Sequence, residues 1–183
     1  MSTATAVRRK DPERVRQALL DGTTTLVVER GIANVTVAAV AASAGVTKGA
    51  LFHHFADRDA LIAAVFDRLL ERLERQLESL MAADPEAHGR FTRAYVNAAL
   101  NADDGERLIW AALIGTLISD NDFTRRWYQW LDARLIACPL DHDPMLEVVR
   151  LAADGAWVIS TTGATSIDID GLRLRLINYT RSS

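Results

Sequence analysis

Apolar residues recur along most of this chain at the three-to-four-residue spacing of an amphipathic helix. One apolar stripe begins at Val15 and continues through Leu26 until Gly31, although threonines and valines inside it locally favour a strand. A stripe rich in leucine from Leu61 to Leu80 predicts a long fourth helix. Further helices are predicted over residues 86–101, 105–119, 122–137, 144–164 and 169–180. The pattern predicts an all-α protein of about nine helices without a convincing strand.

The prolines mark where several of these helices begin or end. Three of the four follow an aspartate, in the pairs Asp11-Pro12, Asp84-Pro85 and Asp143-Pro144. An aspartate before a helix accepts hydrogen bonds from its first amides, and a proline at the first helical position has no amide to leave unpaired. These pairs predict helices that begin near residues 12, 85 and 144, and the remaining proline predicts that a helix ends near residue 137.

Residues 36–55 contain two short helices joined by a tight turn. Thr36 opens an alanine-rich helix that stops at Gly45, and Thr47 opens the next helix. Small side chains in the first helix allow the two helices to cross closely. This is helix-turn-helix geometry, in which the second helix lies in the major groove of DNA. The alternative is a plain helical corner that contacts no DNA.

The same region carries an ordered series of motifs: Glu29-Arg30-Gly31, Thr36-Val37, Ala44-Gly45-Val46-Thr47-Lys48-Gly49, Leu51-Phe52-His53-His54-Phe55 and Asp57-Arg58-Asp59-Ala60-Leu61. This series resembles the tetracycline-repressor (TetR/AcrR) family of bacterial transcription regulators over about a third of the chain. The resemblance implies an N-terminal three-helix domain joined through a long fourth helix to a C-terminal helical bundle. The implied division is a flexible basic arm over 1–10, a DNA-binding domain over 11–60, and a ligand-sensing and dimerisation domain over 61–183.

The resemblance also implies a set of DNA-binding residues: Thr36, Thr47, Lys48, Gly49, Ala50, Phe52, His53, His54 and Arg58. The two threonines offer hydroxyls and helix N-terminal amides to phosphates, and Arg58 is expected to contact phosphate. Arg8, Arg9 and Lys10 form a basic arm that could reach a groove. Position 52 is usually a tyrosine in the family, and Phe52 lacks that hydroxyl. Helix-turn-helix units bury such aromatics, so Phe52 and Phe55 are expected in the core, with stacking on DNA as the alternative.

Aromatic residues cluster in the second part of the chain, which contains all four tryptophans. A bundle core explains most of them. The sharper hypothesis is a cavity for a small, mostly apolar effector, lined by Phe91, Tyr95, Trp110, Leu113, Leu117, Trp127 and Trp130. Polar contacts to the effector are expected from Tyr95, Asn97, Thr116 and Arg126.

Small and apolar residues form stripes on the last two predicted helices. The members of these stripes are Ala152, Ala156, Ile159 and Gly163, followed by Leu172, Leu176 and Tyr179. Small residues let helices approach closely, so we expect a homodimer in which two helices from each subunit form a four-helix interface. We expect this dimer to bind a palindromic operator. The alternative is that both stripes pack within one chain.

Composition narrows the class of protein. The 183 residues are 49% hydrophobic and 25% charged, as in globular proteins, and a single cysteine excludes an internal disulfide. Met1–Lys10 lacks the apolar segment of a signal peptide. The most apolar stretch, Leu108–Ser119, is too short to span a bilayer. We therefore expect a cytoplasmic protein. The net charge of the whole chain is -3, but residues 1–60 carry eight basic and six acidic residues and are therefore slightly basic. This local positive charge is consistent with a small DNA-binding surface.

The sequence offers no catalytic constellation. It lacks a Ser-His-Asp arrangement, a glycine-rich phosphate loop and metal-ligand spacing, and the adjacent His53 and His54 point about 100° apart on a helix. We therefore expect no enzyme activity, no metal and no cofactor. The resulting hypothesis is a ligand-responsive transcriptional repressor that binds double-stranded DNA as a homodimer and is released by a small effector. The alternative is a helical enzyme or small-molecule carrier with a structural N-terminal bundle.

Overall fold

The computed structural model describes residues 11–102, 104–119, 121–161 and 167–181. Within these ranges the chain is all-α and contains nine α-helices and two 3₁₀ turns. It divides into two compact units, Met1–Asp67 and Arg68–Ser183. The boundary falls inside the long fourth helix, so that helix contributes to both units.

The first unit is built from α1 (Pro12–Arg30), α2 (Val37–Ser43), α3 (Lys48–Phe52) and the first part of α4 (Arg58–Ala83), with a 3₁₀ turn at Ile32–Asn34. All four helices begin where a side chain caps them. Asp11 accepts from Glu13 N at 3.1 Å, and Asp57 accepts from Ala60 N at 2.8 Å. The predicted starts of α1 and α4 are confirmed, because these contacts depend only on residues two or three positions away.

The helix-turn-helix over 36–55 is also confirmed as a structure. Thr36 Oγ1 accepts from Ala39 N at 3.2 Å, and Thr47 Oγ1 accepts from Ala50 N at 3.1 Å. Gly45 adopts a φ of 65°, a left-handed conformation that costs glycine little, and this reverses the chain between α2 and α3. The motif is therefore specified by local chemistry.

The threonine-rich part of α1 is helical despite its local preference for a strand. Each of the three hydroxyls donates to the carbonyl four residues earlier, with Thr23 Oγ1 to Leu19 O at 2.7 Å as the buried member. These bonds satisfy the hydroxyls inside a helix. Burial of Leu19 and Val27 then holds α1 in the core, so tertiary packing overrides the propensity.

The second unit contains the rest of α4, then α5 (Arg90–Leu100), α6 (Asp104–Ser119), α7 (Asn121–Ala137), a 3₁₀ turn (Pro139–Asp141), α8 (Pro144–Thr161) and α9 (Ile169–Tyr179). Helix α5 is buried over most of its length and contributes to two core clusters. One cluster joins α5 to α8 and α9 through Val96, Val149 and Leu176. The other joins α5 to α4 through Leu77 and Phe91.

The prediction that a helix begins near residue 85 is wrong, because α5 begins at Arg90. The Asp84 carboxylate accepts from Glu86 N at 3.0 Å and from Arg93 Nε at 2.6 Å. It therefore stabilises the loop between α4 and α5 and does not cap a helix. The amides of the first turn of α5 are instead capped from far along the chain. The Asp141 carboxylate accepts from Phe91 N at 3.2 Å and from Thr92 N at 2.7 Å.

Candidate functional site

Helix α3 presents several of the predicted DNA-binding residues on the surface of the first unit. Lys48, Gly49 and His53 are exposed, whereas Ala50 and His54 are half-buried. Thr36 and Thr47 at the starts of α2 and α3 are exposed as well. A threonine hydroxyl that accepts from an amide can still donate to a phosphate oxygen. The structure thus brings seven of the nine predicted residues together around the helix-turn-helix.

The two phenylalanines of this segment, Phe52 and Phe55, differ in their burial. Phe52 is 53% exposed on α3, so its predicted placement in the core is wrong, while the same prediction for Phe55 is confirmed. Phe55 is buried and its ring lies 4.5 Å beneath the guanidinium carbon of Arg16. The exposed ring of Phe52 adds an apolar contact group beside Lys48 and His53 on the surface of α3.

Arg58 holds the fold of the first unit together. Its Nε donates to Val35 O at 2.8 Å, and one terminal nitrogen donates to Ile32 O. The other terminal nitrogen pairs with Asp59 at 2.9 Å. These bonds fasten the loop before α2 to the start of α4, and a phosphate contact from Arg58 stays a prediction. The predicted basic arm over 1–10 lies outside the described residues.

The second unit contains a cavity of about 400 Å³ between α4, α5, α6, α7 and α8, and this cavity is partly open to solvent. Its wall is mainly aromatic and small apolar. Trp110 and Trp127 meet edge to face with ring centroids 6.0 Å apart. Trp127 is also held by Trp130, whose ring centroid lies 5.2 Å away. A mostly apolar cavity of this size with a few polar groups is typical of a small-molecule site.

Three of the seven predicted effector-binding residues line this cavity: Tyr95, Trp110 and Trp127. Phe91 and Leu113 are buried in the core instead, and Trp130 packs behind Trp127, so these three predictions are corrected. The side chains of Leu117 and Thr116 lie outside the described part of the chain. Two of the predicted polar contacts lie elsewhere. Asn97 Oδ1 accepts a hydrogen bond from Arg173 at 2.9 Å, and the Arg126 side chain is exposed.

The sequence analysis did not assign the other wall residues, and the charged and aromatic ones among them are Glu106, Tyr128, Asp154 and Trp157. The sequence places Trp157 in the aromatic-rich second part of the chain, with Asp154 three residues before it. Neither signal distinguishes a cavity wall from a core, because helical periodicity gives the inward face but not the gaps in its packing.

Asp154 and Tyr95 form the polar part of the wall. The Tyr95 hydroxyl donates to Asp154 Oδ1 at 2.6 Å. Burial raises the pKa of Asp154 above its usual 3.8, while the bond from Tyr95 and the nearby Arg150 lower it. Burial also raises the pKa of Tyr95 well above its usual 10.0. The phenol therefore stays protonated and donates to the carboxylate.

The predicted dimer stripes are partly used inside the chain. Ala156 and Leu176 are buried in the cluster shared by α5, α8 and α9, and Leu172 packs against it. The assignment of Ala156 and Leu176 to a dimer interface is corrected, because these two side chains are covered by their own unit, whereas the assignment of the half-buried Leu172 stays a prediction. Ala152 and Ile159 of α8 and Tyr179 of α9 are exposed, and Gly163 lies outside the described residues.

An apolar face of α8 remains uncovered in the described chain. Its large members are Met145, Val148, Leu151, Val158 and Ile159, and α9 adds Leu174 and Tyr179. We call these seven residues the α8–α9 face. The middle of the set is Leu151, which is 62% exposed. A cluster of exposed apolar residues on neighbouring helices marks an interaction surface more often than isolated ones do.

The described residues offer neither a metal site nor a membrane-spanning helix. No group of three or more His, Cys, Asp or Glu side chains in that part of the chain could hold a metal ion. Within the same residues, every helix is too short or too polar to span a membrane.

Comparisons with known proteins match both units. A model of the bacterial regulatory proteins of the tetR family matches residues 19–65. A model of the tetracyclin repressor-like C-terminal domain matches residues 89–180. Together these two matches include the helix-turn-helix, the α8–α9 face and the wall of the cavity apart from its α4 residues Leu73 and Gln76.

Relatives of known name agree with these models. The transcriptional regulator BetI of Yersinia pestis is 31% identical over 181 residues, covering 90% of this chain and 89% of BetI. The HTH-type transcriptional regulator Mb3439c of Mycobacterium bovis is 41% identical over 80 residues, covering 42% of this chain and 43% of that protein. The chain thus spans less than half the length of this mycobacterial relative. The crystal structure of the multidrug binding protein EbrR complexed with malachite green has a TM-score of 0.70 at 25% identity, covering 91% of this chain and 98% of that chain.

Proposed function

This chain belongs to the tetracycline-repressor family and is a transcriptional regulator rather than an enzyme. We propose that it is a ligand-responsive repressor. In this proposal residues 11–60 bind a palindromic operator, and residues 61–183 bind an effector and a second copy of the chain. The observation that carries the proposal is the pairing of a helix-turn-helix in one unit with an aromatic-walled cavity in the other. Effector binding then favours a form of the dimer that no longer fits DNA.

Support for DNA binding comes from the surface of α3. Lys48 supplies a cation there, and His53 and Phe52 stand beside it as polar and apolar contact groups. A lysine that contacts a phosphate contributes affinity that falls with salt concentration, because bound counterions are released. The basic balance of residues 1–60 favours the same interaction.

DNA binding is tested by selecting bound sequences from a random pool with the full chain. We expect an enriched inverted repeat, bound more weakly as salt rises. Lys48→Ala should weaken binding and reduce the salt slope by about one unit. Arg75→Ala is the matched control, because it removes an exposed positive charge from the second unit and should leave binding unchanged. Absence of an enriched repeat, or equal effects of the two variants, would contradict operator binding.

The effector part of the proposal rests on the cavity. EbrR, which is similar in fold, is a multidrug binding protein with malachite green bound, and a small-molecule site in this chain is inferred by analogy. The experiment is to screen small apolar and amphipathic compounds for release of the selected operator. If the effector binds in this cavity, an active compound should quench tryptophan fluorescence. Ala98→Trp, which places a large side chain in the cavity, should abolish the release of DNA by that compound. A compound that still releases DNA from this variant would place the effector site elsewhere.

A homodimer would cover the α8–α9 face. The face combines exposed apolar side chains with the exposed small residues Ala152 and Gly155, which allow a second helix to approach. Exclusion of water from such a face is the main driving force for association. A two-fold symmetric pairing of this face also matches the symmetry of a palindromic operator.

The dimer is tested by light scattering on the full chain. Leu151→Arg places a charge in the centre of the α8–α9 face and should yield monomers. Ile136→Arg is the matched control, because Ile136 is 76% exposed on α7, outside that face, and its substitution should leave the mass unchanged. A Leu151→Arg protein that retains the wild-type mass would refute this interface.

A further inference from the structure

The charge of the cavity wall is one-sided. Among the described residues that line the cavity, the charged ones are Glu106 and Asp154, and both are carboxylates. Arg72 lies 3.9 Å from Glu106, at the long end of an ion pair, and its side chain is about half-exposed. The walls thus combine negative charge with aromatic rings.

The burial of Asp154 is only partly compensated by its hydrogen bond from Tyr95 and by the nearby Arg150. Within the described part of the chain, the hydrogen bond to its carboxylate comes from Tyr95, which is neutral. Arg150 lies one turn earlier on α8, but one of its terminal nitrogens donates to Thr92 Oγ1 at 2.7 Å and to Asp141 O at 3.1 Å. A carboxylate withdrawn from water without an ion pair is costly. A bound cation would reduce this cost.

The aromatic wall favours the same class of ligand. The faces of tryptophan and tyrosine rings carry negative electrostatic potential, and they attract cations within about 6 Å of the ring centre. Trp110, Trp127 and Trp157 lie around the cavity together with Tyr128. An organic cation with an apolar body gains from the rings and the carboxylate at once, whereas an anion is repelled by the carboxylate.

We propose that the cavity binds a monovalent organic cation with an aromatic or branched apolar body, whose charge lies against Asp154 inside the tryptophan wall. This inference rests on the proposed effector role of the cavity, and it adds the chemical class of the effector. Asp154 is the residue that selects charge. The tryptophans select shape and apolar character.

The test uses three probes of similar size: (naphthylmethyl)trimethylammonium, its neutral carbon isostere neopentylnaphthalene, and the anion naphthylacetate. Binding to the full-length protein is measured by calorimetry. We expect the cation to bind at least about tenfold more tightly than the neutral isostere, with the anion weakest. A neutral isostere or an anion that binds as tightly as the cation would overturn the proposal.

Asp154→Asn is the decisive variant, because asparagine keeps the shape and its carbonyl oxygen can still accept from Tyr95. It should abolish the preference for the cation and leave the affinity for the neutral isostere within about twofold. Asp132→Asn removes an exposed carboxylate of α7 and should leave all three affinities unchanged. A preference that survives Asp154→Asn would show that Asp154 does not select charge, which would refute the proposal.

The pH dependence provides a second measurement on the wild-type protein. The titratable and charged groups around Asp154 are Tyr95 on α5, Glu106 on α6, Tyr128 on α7 and Arg150 on α8. Because burial raises the pKa of Asp154, cation affinity should increase as pH rises through that raised pKa and then level off. A flat profile, or an increase that persists in Asp154→Asn, would contradict the proposal.

Operator release separates this inference from the proposed function. Tight cation binding without release of DNA would refute the effector role and leave the charge preference standing. Release by the neutral probe at lower concentration than by the cation would support the effector role and overturn the cation preference.

Discussion

Replacing Asp141 with alanine should destabilise the second unit far more than an ordinary helix-cap substitution. The Asp141 carboxylate is buried, with 1% of the residue exposed, and accepts from two amides in the first turn of α5. A hydrogen bond to a charged group contributes about 1.5–3 kcal/mol, and two such bonds are lost. After allowing for the cost of burying the carboxylate, we expect a loss of about 3 kcal/mol.

Asp143→Ala provides the matched comparison two residues further along. Asp143 is also a helix cap, accepting from Met145 N at 2.7 Å, but it is exposed and acts within its own turn. Its loss should cost about 1 kcal/mol. Asp141→Asn, which retains one acceptor oxygen, should fall between the two alanine variants.

The assay is urea unfolding followed by tryptophan fluorescence at one fixed protein concentration, since all four tryptophans lie in the second unit. With a slope of about 2 kcal/mol per molar urea, the midpoint should move down by about 1.5 M for Asp141→Ala and about 0.5 M for Asp143→Ala. Equal shifts for the two variants would refute the reasoning, because they would show that capping by a distant buried carboxylate adds nothing to local capping.

Two further predictions concern other close contacts. Gly22→Val should destabilise the first unit by about 1–3 kcal/mol, because an added Cβ would lie 3.0 Å from Ser43 Oγ where α1 crosses α2. Thermal melting measures this, and a Ser43→Gly background that gives no relief would show that the clash lies elsewhere. The hydrogen bond from Arg93 lowers the pKa of Asp84 below its usual 3.8. The stability from this pair is therefore complete above that value and lost as pH falls through the lowered pKa. Asp84→Asn should lower the urea midpoint at neutral pH and approach the wild-type midpoint as pH falls through that lowered pKa. A difference that does not shrink on acidification would contradict this assignment.

The first unit could be predicted almost entirely from the sequence. Its helix starts at Asp11, Thr36, Thr47 and Asp57 depend on side chains that bond amides two or three residues away. Such contacts form wherever the same short segment occurs, so a motif in the sequence is also a motif in space. The exception is Phe52, since both Phe52 and Phe55 suit a core and only packing decides which one is buried.

The effector cavity could be predicted only in outline. The clustering of aromatic residues pointed to the second unit, but not to which of them would leave a gap between helices. Trp130 and Phe91 fill space, whereas Trp127 and Tyr95 border it. Asp154 becomes significant only because α5 brings the Tyr95 hydroxyl within 2.6 Å of it.

The sequence by itself determined the all-α class, the helix-turn-helix and most helix boundaries, because periodicity and capping act over a few residues. Only the tertiary structure decided where α5 begins, since its cap, Asp141, lies about fifty residues away along the chain. It also decided that Ala156 faces its own core while Leu151 does not. Both outcomes depend on how whole helices pack against one another, and a one-dimensional pattern carries that information only weakly.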